Sequence, residues 1–133
     1  MARESPVEFK MYFKMTTPSS FDARSSPLFK QLLILKLNDL AYVHTALFMH
    51  QYHYRQLPLT FDSLFETIVS KHKYNTRLAS KLNYYLPKAR TNFGKFNIRF
   101  TGVKIWTSIA LADKQLNKIA FKKKLIADKI CTY

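Results

Sequence analysis

Between Thr67 and Ala112 the chain carries nine lysines or arginines and not one aspartate or glutamate. A stretch of that length cannot neutralise itself through local ion pairs. Any fold it adopts must leave the charge in water, bring acids to it from elsewhere, or present it to a polyanion. The flanks supply few acids. Met1 to Glu66 hold seven basic and six acidic side chains, and Asp113 to Tyr133 hold six lysines and two aspartates. Nearly all of the formal charge of +14 therefore lies beyond Glu66. The imbalance favours nucleic acid over a membrane surface, because no basic amphipathic helix with a clean apolar face accounts for the segment.

At 133 residues the chain is long enough to bury one core. With 47% hydrophobic and 23% charged residues, it has the composition of a folded domain. The single cysteine, Cys131, excludes an internal disulfide and a cysteine-based zinc site, and makes a reducing compartment the default. No apolar run approaches the roughly 18 residues that span a bilayer. Arg3, Glu4, Glu8, Lys10 and Lys14 leave no apolar core for a secretory signal. The expectation is an intracellular chain, cytoplasmic or nuclear, that is not secreted.

The local pattern predicts a helix-rich α+β fold, with a helical front half, one β-hairpin and a C-terminal basic helix. Residues 1–26 read as an extended arm or loop and residues 27–133 as one small domain. Within that domain, 27–69 are expected to be helical, 70–109 to form a basic hairpin region and 113–131 a basic helix. Pro27 opens a short helical turn, Leu28 to Leu32. Asn38 or Asp39 caps a longer helix to about Tyr54, with Leu40, Val43, Leu47 and Tyr54 on one stripe that Ala41 and Phe48 widen. Thr60 caps a short helix, Phe61 to Val69. Tyr84-Tyr85-Leu86 and Phe96-Asn97-Ile98-Arg99-Phe100 are aromatic and β-branched, with a turn-type cluster between them, and predict an antiparallel hairpin. Pro87 confines the first strand to an edge or a bulge, and Gly102 ends the second. Lys104 to Ile109 form a helical turn around a buried Trp106. Asp113 caps the last helix. There Phe121 and Leu125 sit among the lysines as a second apolar spot, opposite Leu116, Ile119, Ile126 and Ile130.

Several chemistries are disfavoured. Two-metal polymerases and nucleases need clustered carboxylates, and the eight acids here are scattered. The two glycines, Gly94 and Gly102, cannot make a phosphate-binding loop. His50 and His53 share a helix face but lack a third ligand nearby in sequence. Cys131 has no histidine close in sequence to activate it. No catalytic residue, metal or cofactor is expected.

The positive signal is basic and aromatic residues interleaved. Lys71, His72, Lys73, Tyr74, Asn75, Thr76 and Arg77 form one cluster, of which Lys73, Tyr74, Asn75 and Arg77 are the expected contacts. Lys88, Arg90, Asn92, Lys95 and Arg99 form a second with Phe93, and Lys104 follows. Lysine and arginine neutralise phosphates, asparagine donates to them, and exposed aromatic rings stack on bases. These residues are the expected nucleic-acid contacts.

The same residues carry a resemblance. His72-Lys73-Tyr74-Asn75-Thr76-Arg77 is followed by Leu86-Pro87-Lys88-Ala89-Arg90-Thr91-Asn92-Phe93-Gly94-Lys95. Then comes Phe100-Thr101-Gly102-Val103-Lys104-Ile105-Trp106-Thr107-Ser108-Ile109. In order and spacing, this resembles the C-terminal tail of non-LTR (LINE-type) retrotransposon reverse transcriptases, downstream of the polymerase domain. That family shows a Tyr-Asn-Thr-Arg box, an Arg-Thr-Asn-aromatic-Gly-Lys turn and a Gly-x-Lys-x-Trp-x-Ser box. Pro27-Leu28-Phe29-Lys30, Ile34-Leu35-Lys36-Leu37 and Phe121-Lys122-Lys123-Lys124-Leu125 are similar to its flanking segments. The chain departs from the pattern at Thr107 and at Ile109-Ala110. The resemblance implies a fragment of an RNA-directed DNA polymerase without its catalytic carboxylates. Its expected partners are the phosphate backbone of RNA or DNA and a reverse-transcriptase polymerase domain, with no membrane. Two other readings remain open: a module that docks on a polymerase domain without touching nucleic acid, and a functionless truncated relic.

Overall fold

The computed structural model describes residues 25–133 apart from 72, 73 and 75. The helices are α1 (Ser25–Gln31), α2 (Leu37–His53), α3 (Ile68–Lys71), α4 (Arg77–Ser80), α5 (Ile98–Ser108), α6 (Leu111–Lys114) and α7 (Lys118–Cys131). Two 3-10 turns, Leu59–Phe61 and Phe93–Phe96, lie between them. Of the expected arm, residues 1–24 lie outside the described residues, and Ser25 and Ser26 already belong to α1.

The core is α2 packed on α5 and α7, with α1 resting on α7. Val43, Ala46, Leu47 and Met49 of α2 meet Val103 and Trp106 of α5 and Phe121 and Leu125 of α7, all buried. These positions recur at helical spacing, so each helix buries one stripe. The buried stripe of α2 runs through Val43, Ala46, Leu47 and His50, whereas Leu40, Ala41 and Tyr54 of the expected stripe are exposed.

Gly102 is where α5 comes closest to α2. A Cβ there would lie 2.9 Å from the Met49 Sδ and 3.5 Å from the Phe65 Cζ. The residue expected to end a strand instead lets a helix approach its neighbour closely.

The expected hairpin does not form: among the described residues there is no strand, only one isolated antiparallel bridge, Thr67 with Tyr84. Tyr84-Tyr85-Leu86 pairs with residues preceding α3, and the Tyr85 N–H donates to the Glu66 carbonyl at 2.8 Å. Phe96 closes a 3-10 turn, and Ile98, Arg99 and Phe100 begin α5. Asn97 explains the outcome. Its backbone is extended, and its Oδ1 accepts from the Arg99 N–H at 2.9 Å, satisfying an orphan donor of the first turn. The helix then buries Val103 and Trp106 together, which a strand ending at Gly102 would not do.

The last helix also differs from expectation. Asp113 lies in the short α6, and α7 starts after Asn117, whose Oδ1 accepts from the Ala120 N–H at 2.8 Å. Phe121 and Leu125 are the buried face of α7, and Ile119 is the exposed one. The segment expected as one helix from Phe61 to Val69 is the first 3-10 turn, a bend and then α3.

α2 opens without a side-chain cap of its own. The Lys36 N–H instead donates to the Tyr133 hydroxyl at 2.8 Å, and that hydroxyl donates to Asp39 Oδ2 at 2.7 Å. The end of the described chain therefore closes the start of α2.

Candidate nucleic-acid interface

Of the expected contact residues, Lys73 and Asn75 lie outside the described residues. Tyr74, Arg77, Lys88, Arg90, Asn92, Lys95, Arg99 and Lys104 are all exposed. Tyr74 is 80% exposed, just before α4. Arg77 is the first residue of α4, which Thr76 caps through its hydroxyl.

The second cluster folds into one small loop. The Thr91 Oγ1 accepts from the Gly94 N–H at 3.0 Å, and the Lys95 N–H donates to the Asn92 carbonyl at 3.1 Å. The Lys95 ammonium donates to Asn92 Oδ1 at 3.2 Å. Ala89 folds back on the turn, its Cβ 3.6 Å from the place a Gly94 Cβ would occupy. Lys88 and Arg90 therefore flank the turn that carries Asn92 and Lys95, with Arg99 following in the first turn of α5. The cluster expected on a hairpin is carried instead by a turn and the start of α5.

Lys104 belongs to a different feature. It lies on the rim of an open cleft of about 450 Å³ lined by Ile68, Thr76, Asn83, Tyr84, Tyr85, Leu86 and Thr107. The walls are largely apolar, and the cleft sits between the α4 cap and the outer side of α5.

The ion pairs among the described residues tie up few of the excess cations. Lys71 pairs with Glu66 at 2.8 Å, Lys129 with Asp39 at 3.6 Å, and Lys124 with Asp113. The hydrogen bond to Glu66 raises the Lys71 pKa, and the one to Asp113 raises that of Lys124. No described carboxylate lies within ion-pairing distance of Arg77, Lys88, Arg90, Lys95, Arg99 or Lys104. Among the described residues, Glu66 thus pairs with Lys71 and no carboxylate pairs with those six cations.

Two groups of side chains escaped the sequence reading. One is a buried polar cluster behind the cleft. The Lys114 ammonium donates to Asn83 Oδ1 at 2.7 Å and to the Lys81 carbonyl at 3.3 Å, and stands 5.1 Å from the centre of the Trp106 ring. Burial, then the nearby Lys81 charge, lowers its pKa to about 8. His53 Nδ1 is 2.9 Å from the Tyr84 hydroxyl. Burial, then His50 and Lys114, lowers the His53 pKa, and burial raises that of Tyr84. His50 Nε2 donates to the Leu116 carbonyl at 2.8 Å, while its Nδ1 is buried with no hydrogen-bond partner. Both histidines are held by these contacts, and among the described residues no three His, Cys, Asp or Glu side chains are grouped to hold a metal ion.

The second is a single ring, Phe96, expected in a strand but 79% exposed on the basic loop, three residues from Phe93, which the sequence already places in the basic cluster and which is 87% exposed.

Among the described residues no helix is long and apolar enough to cross a membrane. No protein-family model, curated protein or solved structure matches the chain.

Proposed function

We propose that the chain is a non-catalytic, nucleic-acid-binding segment of the kind found at the tail of LINE-type reverse transcriptases, and that it holds the phosphate backbone of RNA or DNA. The observation that carries this reading is the set of six exposed cations, Arg77, Lys88, Arg90, Lys95, Arg99 and Lys104, none paired with a described carboxylate. Their charge is left for a polyanion whose counterions are released on binding. The resemblance of the same segments to the reverse-transcriptase tail is in keeping with the reading. Bound phosphate would also complement the start of α5, where the first turn holds no acid.

The test is the salt dependence of binding to RNA and DNA oligonucleotides. Log affinity should fall with log salt by about 0.7 to 0.9 per phosphate contact. Arg90→Ala with Lys95→Ala should flatten that slope by roughly one to two units and weaken binding to many sequences alike. Lys10→Ala with Lys14→Ala is the control pair. Equal effects of the two pairs would remove the basis for a defined interface. Primer extension and nicking with Mg²⁺ or Mn²⁺ should both be blank, because among the described residues no carboxylates are grouped to hold metal ions.

One observation favours the docking reading. Leu33, Leu37 and Leu40, in the near-neutral front half, are exposed next to one another in sequence. On that reading, Leu33→Ser with Leu37→Ser abolishes association with a reverse-transcriptase polymerase domain supplied in trans, while Arg90→Ala with Lys95→Ala leaves nucleic-acid binding unchanged.

A further inference from the structure

We propose that Phe93 and Phe96 form a base-stacking platform that makes the basic loop selective for single-stranded nucleic acid. The inference rests on the nucleic-acid reading above and adds to it the form of the ligand.

Three features of the loop support it. First, both rings are in solvent although the turn does not need them there. The turn is held by the Thr91 hydroxyl, the Asn92 carbonyl and the Gly94 carbonyl, which accepts from the Asn97 N–H at 3.3 Å. Neither ring contacts another aromatic ring among the described residues, and neither belongs to the core. Two phenylalanines exposed beyond three-quarters of their surface contribute almost nothing to folding.

Second, the spacing places them together. In a 3-10 turn, side chains three apart eclipse one another and are separated by about 6 Å along the axis. That spacing puts both residues on one side of the turn, where neighbouring bases of one strand can reach them. Gly94 contributes no side chain between them.

Third, the charge around the rings suits a nucleic-acid strand better than an apolar protein surface. Lys95 lies between the two rings in sequence, Arg90 and Arg99 flank them, and no acid occurs from Thr67 to Ala112. Alternating cations and exposed rings match what a single strand offers, with phosphates on one side and unpaired base faces on the other. In a duplex those faces are stacked inside and out of reach.

The experiment measures fluorescence anisotropy of the whole chain with a labelled mixed-sequence 12-mer, single-stranded or annealed to its complement, over a range of salt. The wild-type chain should prefer the single strand. Phe93→Ala with Phe96→Ala should weaken single-strand binding about five- to a hundredfold, leave the salt slope unaltered, and change duplex binding less than twofold. Phe93→Trp with Phe96→Trp should restore single-strand binding, and Phe93→Leu with Phe96→Leu should not. Single-strand affinity unchanged by the alanine pair, with the slope still sensitive to Arg90 and Lys95, overturns the platform and leaves the backbone reading intact. Equal weakening on single strand and duplex also overturns it. Absence of binding to either probe overturns the nucleic-acid reading and the platform with it.

Discussion

The ammonium of Lys114 lies 2.7 Å from Asn83 Oδ1 with only 1% of the residue exposed, and among the described residues no carboxylate pairs with it. A buried cation held by an amide and a backbone carbonyl keeps most of its desolvation cost. Its two acceptors are equally dependent on it: without the lysine, Asn83 Oδ1 and the Lys81 carbonyl lose a donor. Lys114 therefore fixes the segment after α4 against α6, at the expense of an uncompensated charge beside Trp106.

That charge should make stability depend on pH in the alkaline range. Folded Lys114 gives up its proton near pH 8 and the unfolded lysine near 10.5. Between those values the unfolded chain binds the extra proton, so this group's contribution to stability rises with pH. Below pH 8 the whole cost is present. Lys114→Met strands two acceptors, at roughly 1–3 kcal/mol each whatever the pH, and removes the pH-dependent cost of the buried charge. Against that variant, the wild-type chain should gain about 1–2 kcal/mol between pH 7.5 and 9.5. Urea unfolding at the two pH values checks it; a difference that does not move with pH would show that the folded lysine titrates normally.

Gly102→Ala sets two effects against each other. Alanine is favoured in a helix interior by about 1 kcal/mol over glycine. Its Cβ, however, would meet the Met49 Sδ at 2.9 Å, in a core where Met49 is fully buried. Overpacking of that kind costs about 1–3 kcal/mol, so the expected net is a loss of about 1 kcal/mol. Met49→Val opens space at the same contact. The double variant should therefore lose less than the two single losses combined, which a cycle of four unfolding curves measures directly.

Arg55→Gly should do the opposite. α1 and α2 both end in a Schellman arrangement, with the sixth-to-first bonds Ile34 N–H to the Phe29 carbonyl at 3.0 Å and Gln56 N–H to the Gln51 carbonyl at 2.8 Å. The left-handed residues there are Leu33 at φ 53° and Arg55 at φ 52°, where glycine is usual. An L-residue in that region carries a strain of about 1–2 kcal/mol, partly offset by the greater freedom glycine gives the unfolded chain. Arg55 is exposed, so little packing is lost. Thermal unfolding of Arg55→Gly should shift upward by a gain of up to about 1 kcal/mol.

The sequence was most informative where one signal extended over many residues. The long helix expected from Asn38 or Asp39 to about Tyr54 is α2, Leu37–His53, because apolar residues recur over several turns and outweigh local noise. Trp106 as core follows from its size alone. The hairpin failed for the converse reason. Phe96 to Phe100 alternate over five residues, too short a window to separate a period of 2 from one of 3.6. The deciding feature was Asn97, a capping residue whose role appears only when the apolar positions beyond it, Val103 and Trp106, are counted as one helix face. Phe121 and Leu125 differ from expectation because the more numerous apolar residues Leu116, Ile119, Ile126 and Ile130 point to the other face, whereas the core packs on the face that carries the larger Phe121 ring. Nothing in the sequence signalled the burial of His50 and Lys114. Long-range packing brings Leu116 to one and Asn83 to the other.

Proline substitutions at two nearby positions separate the helix from the hairpin in solution. In α5, Ile98 is the first helical residue, where proline is favoured and where the N–H makes no backbone hydrogen bond. Asn97 before it is already extended, at φ −64° and ψ 139°, as a residue preceding proline must be. Thr101, three residues on, donates its N–H to the Asn97 carbonyl at 3.0 Å, so proline there breaks a helical bond and clashes with the preceding turn. Ile98→Pro should therefore keep the helical circular-dichroism signal and lose about 1 kcal/mol from the half-buried isoleucine. Thr101→Pro should lose about 3 kcal/mol or more, with a visible drop in helicity. If 96–100 formed the second strand of a hairpin, Ile98 would stand at its centre and Thr101 just past its end. Proline would then be the more damaging at 98, the reverse of the order expected for α5.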